Sequence, residues 1–418
     1  MKLSSAAQSI TTSPILTIAA EINAKINQGE KIYNLTVGDF NSQIYPIPER
    51  LTELTIDAYR RHETNYPGAY GVDLLRHSII ELLKDYCKID VTMSEVQVAS
   101  GSRPLIYSFF KTIVDPGDKV IFPVPSWNND YYTELHNAQP VIIETSPESN
   151  FFPTADSLRP HINDAVLLSL CSPQNPTGTI LDKQQLRDIC ELVVAENKRR
   201  PADQKPLYVM FDQVYWLLTF GDSQFFHPLE ICPDIKPYAV FIDGISKSLA
   251  GTGVRVGWAT GPELIISKMR AFIAHIGAWA PKPEQLATGL FLAEKDSVKH
   301  FLKDFRAQLK NRLDGFYQGF MALNEKGYDV DAIAPQAAIY LSVRINLKNK
   351  KTVDGKILAT DKDVHEYLLN DAGIGVLPFS WFGADTHADW YRISVGTCSQ
   401  QLVQDVLTRL EQALEKLA

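Results

Sequence analysis

The sequence predicts an α/β fold: a large unit with a mostly parallel sheet between helices, and a smaller α+β unit drawn from the N- and C-terminal segments. Three observations predict it. Between about residue 50 and residue 300, short β-branched runs alternate with stretches of helical period. Those runs are apolar nearly throughout, the pattern of strands covered on both faces. After about residue 300 a long amphipathic stretch is followed by strands of alternating polarity. At 418 residues the chain also exceeds the size at which a single hydrophobic core keeps growing. The expected division is an N-terminal segment 1–48 that joins the smaller unit, a large domain 49–300 and a C-terminal α+β domain 301–418.

Taken in order, residues 1–31 are helical and mixed in polarity, without the charged head and apolar run of a signal peptide. "EVQVAS" (95–100) reads as a strand, and "PLIYSFFKTIV" after it spaces its apolar residues as a helix does. "DKVIFP" (118–123), "QPVIIET" (139–145), "AVLLSL" (165–170), "PLYVMFD" (206–212) and "YAVFID" (238–243) are strands bounded by Pro, Gly, Asp or Asn. Beyond them come a long helix from Val298 to Leu323, the strands "AAIYLSVRI" and "WYRISVG", and a closing helix from Gln400 to Leu417. "TVDGKILATDKD" (352–363) reads as a polar hairpin or loop.

The bulk chemistry excludes several classes of function. Net charge is −8 with no long basic block, which argues against nucleic acid or an anionic membrane as partner. No stretch approaches the roughly 20 apolar residues that span a bilayer. The five cysteines, at 87, 171, 190, 232 and 398, are odd in number and widely spaced, so free thiols in a reducing cytoplasm are expected. The nine histidines show no HxxxH or HxH spacing, and no metal site is expected. "NLT" at Asn34 fits the glycosylation pattern, which has no meaning in a cytoplasmic protein.

In open sheets of this kind ligands gather at the carboxyl ends of the strands. The unusual residues cluster there: Ser100–Gly101–Ser102, Pro125–Trp127, Pro173–Gly178, Asp212–Tyr215 and Ser246–Lys247. "SPQNPTG" (172–178) by itself is only a tight turn. "FDQVY" (211–215) puts a carboxylate at the end of an apolar strand, where it should meet a cation. Lys247 directly follows another such strand, so a freely solvated lysine is a strained reading. "GTGVRVG" looks like a dinucleotide-binding fingerprint, but its spacing is wrong and it comes late in the chain.

Together these motifs resemble, in sequence order, the class I/II aminotransferases of the fold-type-I pyridoxal-phosphate (PLP) family. "NLTVGDF" (34–40), "YPGAYGVDLLR" (66–76), "SGSRPLIY", "PSWNND", "SPQNPTG", "FDQVY", "SKSLAGTGVRVGW" and "WYRISVG" carry the resemblance over nearly the whole chain. It implies a PLP-binding large domain around a seven-stranded sheet, with Lys247 as the Schiff-base lysine. A desolvated amine has the lowered pKa that such a nucleophile needs, and once freed it can shuttle the substrate proton. The resemblance implies that Asp212 pairs with the ring nitrogen, that Tyr215 and Asn175 hydrogen-bond the ring oxygen, and that Trp127 stacks on the ring. Ser100, Gly101, Ser102, Ser246 and Arg255 match the phosphate site, where helix-start amides and a guanidinium suit an anion. Tyr66 matches a tyrosine that reaches the phosphate from a second subunit, which implies a homodimer with shared sites. Many relatives carry a serine three residues before the lysine; Gly244 stands here. Arg392, alone readable as a surface arginine on an edge strand, matches the clamp on the substrate α-carboxylate, and Gly38 allows close backbone approach.

The implied activity is transamination between an L-amino acid, an aspartate-like donor being favoured, and a 2-oxo acid such as 2-oxoglutarate. The alternatives are an aromatic or large apolar donor, a C–S or β-elimination lyase of the same fold, and a non-catalytic PLP-binding sensor; the last would require a DNA-binding segment that the acidic chain does not display. For a distal carboxylate the sequence offers Lys282 or Arg103, with His275 and Trp279 near the former. Phe40, Tyr45, Trp127, Trp279 and Trp381 would instead suit a bulky apolar substrate.

Overall fold

Seven strands form one sheet in the computed structural model, which describes residues 2–4, 7–8, 10–11, 14–386 and 389–417. They are β1 (Val96–Ala99), β2 (Lys119–Val124), β3 (Gln139–Glu144), β4 (Ala165–Cys171), β5 (Tyr208–Asp212), β6 (Ala239–Gly244) and β7 (Gly257–Thr260), in spatial order β1-β7-β6-β5-β4-β2-β3. β7 runs antiparallel to both neighbours and every other pair is parallel. Six of these strands were legible as apolar runs. β7 was not, because "GWAT" is four residues long and follows a glycine-rich turn with no periodicity to read.

The apolar runs are continuous because alternate residues feed two different cores. Val209, Phe211 and Phe241 face one side with Ile79, Leu186 and Phe291, while Met210, Val240 and Ile242 face the other with Phe109, Phe110 and Met269. Full burial of each such side chain contributes roughly 1.5–3 kcal/mol, so both faces must be covered by helices. The helices Ser102–Ile113 and Glu263–Ile276 cover the second face.

A further core lies under a smaller antiparallel sheet of β8 (Val330–Ala332), β9 (Tyr340–Ile345), β10 (Leu377–Pro378) and β11 (Trp390–Ser394), ordered β10-β11-β9-β8. Tyr33, Leu35 and Tyr45 from the start of the chain join this core, and Tyr33–Asn34 pairs in parallel with Ile374–Gly375. The helix Lys295–Glu325 serves both parts: Val298 and Leu302 pack under the large sheet, Phe305 and Leu309 under the small one. The division expected after residue 300 therefore falls inside one continuous helix. In the 352–363 segment Lys351 and Ile357 bridge as a short hairpin, but the loop ends early, because Thr360 accepts a hydrogen bond from the Asp363 amide and starts the helix Asp361–Asp371. Among the described residues no helix is long and apolar enough to cross a membrane.

Candidate active site

A cavity of about 410 Å³ opens at the carboxyl ends of β4, β5 and β6, between the large sheet and the small one. β6 is buried along its length and ends at Gly244, after which the short turn Ile245–Ser248 delivers Lys247 into the cavity. Its Nζ donates to the Gly38 carbonyl at 2.5 Å. Desolvation outweighs the attraction of Asp39 and brings the amine down to about 8. Asp212 closes β5, and its Oδ1 accepts from the Val214 amide at 3.1 Å. Burial pushes this carboxyl up to about 6, although that hydrogen bond and Lys247 pull the other way. Among the described residues it has no salt-bridge partner.

Glycines set the spacing at one end of the cavity. Gly101, at φ 82°, caps the helix Ser102–Ile113, and a Cβ there would lie 2.0 Å from Arg255 Nη2. That Nη2 donates to the Ser100 carbonyl at 3.1 Å, so the guanidinium rests against the loop. The Ser100 amide is bonded to the Ala278 carbonyl and the Gly101 amide to that of Ala99. Of the three amides expected from the sequence to face an anion, only that of Ser102 has no partner among the described residues, joined by that of Arg103. Gly257 pairs with Gly244 across β6 and β7, and a Cβ on Gly257 would meet the Gly101 carbonyl carbon at 2.5 Å. The same crowding accounts for Gly244: its Cβ would meet the Val256 carbonyl oxygen at 2.8 Å, so a serine cannot stand there without moving the strand. Ser246, which lines the cavity, makes no hydrogen bond among the described residues and offers its hydroxyl instead.

At the other end Arg392 is not on an edge: β11 lies between β10 and β9, and the residue is 1% exposed. Nη1 donates to Asn175 Oδ1 at 2.8 Å and Nη2 to the Thr36 carbonyl at 2.5 Å, while Nε has no partner among the described residues. A buried orphan donor of this kind asks for an acceptor. Tyr340 was missed by the sequence reading. Its ring lies 4.5 Å from the Arg392 guanidinium carbon, and its hydroxyl is 2.8 Å from that of Tyr215. Its only signal was membership of "AAIYLSVRI"; the register that pairs Ser342 with Arg392 brings it in. A Cβ on Gly38 would sit 2.7 Å from the Tyr340 hydroxyl, which explains that glycine. Asp243, also missed, is buried and accepts from Trp216 Nε1 at 2.8 Å, tying the Lys247 turn to the Tyr215 loop.

Some expected residues do not meet the others. Tyr66 is 82% exposed, rests against Trp279 and lies outside this chain's cavity. Lys282 is held by Glu63 and Asn65, each at 2.7 Å, and His275 is exposed; neither lines the cavity. Of the five aromatics considered for a bulky substrate only Trp127 lines it; Phe40 and Tyr45 pack behind it and Trp381 packs on His365.

A protonated pyridine ring would give Asp212 its missing cation, an aldehyde would suit the half-titrated Lys247, and a phosphate would fit the free helix amides beside Arg255. The donor set fits PLP, and fold and site together define an α/β enzyme built around that cofactor. The family profile described as "Aminotransferase class I and II" matches residues 30–410. The chain is 29% identical over 416 residues to an aspartate aminotransferase of Bacillus sp. (strain YM-2), covering 98% of each. In three dimensions it matches an aspartate aminotransferase crystal structure from Rhizobium meliloti (TM-score 0.90, 27% identity, all of both chains) and the Thermus thermophilus aspartate aminotransferase with maleate (TM-score 0.85, 26% identity, 99% and 100% covered). The chain belongs to the class I and II aminotransferase family and is a PLP-dependent transaminase acting on an amino acid and a 2-oxo acid.

Proposed function

We propose that this transaminase exchanges the amino group of an acidic, aspartate-like L-amino acid with a 2-oxo acid such as 2-oxoglutarate. One observation carries the assignment of roles: Lys247, Asp212 and Arg392, with its unpartnered Nε, line a single cavity. The acidic donor is supported by the names of the relatives and by the dicarboxylate maleate in the Thermus thermophilus structure.

When bound, PLP supplies an aldehyde that takes up the amino group and a ring that withdraws electrons. Asp212 would hold the proton on the ring nitrogen. Lys247, whose amine is half neutral near pH 8, would hold the aldehyde and, when free, would move the proton of the substrate Cα. Arg392 takes the α-carboxylate at its free Nε, steadied by Asn175 and by the close backbone at Gly38, and so turns the Cα–H toward the lysine. Tyr215, braced by Tyr340, and Asn175 would bond the ring oxygen, and Trp127 would cover a ring face. The Ser100–Gly101–Ser102 loop, Ser246 and Arg255 would hold the phosphate. Tyr66 completes that site from a second copy, making the working form a homodimer in which the segments 1–48 and 301–418 form the smaller unit beside 49–300. A cytoplasmic enzyme of amino-acid biosynthesis is the setting that the free thiols suit.

Borohydride treatment of the holoenzyme followed by peptide mapping should leave one reduced adduct, on Lys247; an unmodified Lys247 refutes the assignment. A donor screen against 2-oxoglutarate should rank aspartate first. Release of pyruvate and ammonia instead would make the enzyme a lyase.

A further inference from the structure

We infer that Tyr340 is a positioning residue: its hydroxyl donates to that of Tyr215 and so sets how strongly Tyr215 can bond the cofactor's ring oxygen, an inference that rests on the ring-oxygen reading of Tyr215. The two hydroxyl oxygens are 2.8 Å apart, and both residues are 2% exposed. A role in packing alone would be filled better by phenylalanine, because burying a hydroxyl is unfavourable unless it is bonded. Each phenol carries one proton, and the contact between them uses only one of the two. The direction of that bond decides which proton is left for the cavity. Tyr215 can give its proton to a ring oxygen only if Tyr340 supplies the one between them.

Two features select that direction. Pairing of β9 with β11 sets Ser342 opposite Arg392, so Tyr340, two residues earlier, stands on the same face as the guanidinium and diagonal to it. The Arg392 guanidinium carbon lies 4.5 Å from the centre of the Tyr340 ring, and a cation against the ring makes a phenol the stronger acid and the better donor. Burial pushes both phenols up; Arg392 draws Tyr340 back, whereas Tyr340 pushes Tyr215 further up. The second feature is closure. The Gly38 backbone covers the Tyr340 hydroxyl, where a Cβ would lie 2.7 Å away, and among the described residues that hydroxyl has no partner besides Tyr215. Cys171 and Asp39 also act on Tyr340, both raising it, and the Lys247 amine lies 5.9 Å from the centre of the Tyr215 ring; none of the three bonds either hydroxyl. Tyr340 thereby joins the arginine proposed for the α-carboxylate to the phenol proposed for the ring oxygen.

The test compares Tyr340→Phe, Tyr215→Phe and the double variant as PLP holoenzymes, reading the pH midpoint of the cofactor absorbance. Tyr340→Phe keeps the ring against Arg392 and removes only the hydroxyl. A weaker donor leaves more negative charge on the ring oxygen, which holds the proton of the neighbouring nitrogen more tightly, so the midpoint rises. Tyr215→Phe should raise it by about one pH unit or more and Tyr340→Phe by about half a unit, a change of about threefold in the equilibrium; the double variant should match Tyr215→Phe alone. A midpoint that falls in Tyr340→Phe would mean that Tyr215 donates to Tyr340, which overturns the inference. So does an unmoved midpoint, which would leave Tyr340 a packing residue, or a double variant whose shift is the sum of the two. In each of those cases a shift in Tyr215→Phe keeps the ring-oxygen reading intact, whereas no shift in Tyr215→Phe removes both.

Discussion

At the floor of the cavity, Asp212 and Lys247 ride on the ends of adjacent buried strands, and the Gly101 loop is seated backbone to backbone on Gly257, itself paired with Gly244. At the mouth, Arg103 and Trp127 touch each other but stand on a first helical turn and a loop, with the guanidinium exposed. Arg392 belongs with the floor although it comes from the other sheet, because it is buried and held by two hydrogen bonds. The difference teaches where each kind of specificity resides. The groups proposed to meet what every substrate shares, the cofactor and the α-carboxylate, are side chains held by packing and hydrogen bonds. The mouth carries side chains that can be exchanged without disturbing a core.

The comparison can be broken at several points. The largest effect should come from Asp212→Asn, which should cut kcat roughly 10²–10³-fold for all donors alike. The same variant should stabilise the ligand-free protein. Its carboxyl titrates near 6 in the fold against 3.8 ordinarily, so the folded state bears a growing penalty as pH rises through that window. Thermal melts without PLP should therefore show a gain of roughly 2–3 kcal/mol above pH 6 and none below about 3.8. An unchanged melting curve at pH 7 would mean that the acid already has a partner. Next, Arg392→Lys should raise KM for every amino acid by a similar factor, about 10- to 100-fold, because a point charge replaces a bidentate fork. A donor-selective change would move the α-carboxylate clamp elsewhere. The smallest effect should be that of Gly257→Ala, which pushes a methyl into the Gly101 loop and should weaken PLP about tenfold with little change in donor preference. If donor preference changed instead, floor and mouth would not be separable.

How much of this was legible in the chain can be argued from particular residues. Lys247, Asp212 and the Ser100–Gly101–Ser102 loop announced themselves because charges and glycines stood where apolar strands ended. Arg392 was legible as a clamp only through the "WYRISVG" motif; taken alone it read as an edge-strand arginine, since β10, which pairs with it, lies 15 residues away and leaves no local trace. Tyr340 and Asp243 gave no sign beyond their place in a strand; one is an ordinary strand tyrosine, the other an ordinary strand-end acid. Lys282 and Arg103 were equally plausible cations, and only the Glu63 ion pair and the Trp127 stacking separate them.

The sequence by itself determined the strand runs of the large sheet, the helices around them and the residue types awaiting a cofactor, because periodicity and strand-end chemistry are local properties of the chain. Tertiary structure alone decided which arginine is buried, which lysine is already paired, why Gly244 cannot be a serine and which amides remain free. Those are outcomes of desolvation and close contact between segments far apart in sequence, and nothing short of the folded packing sets them.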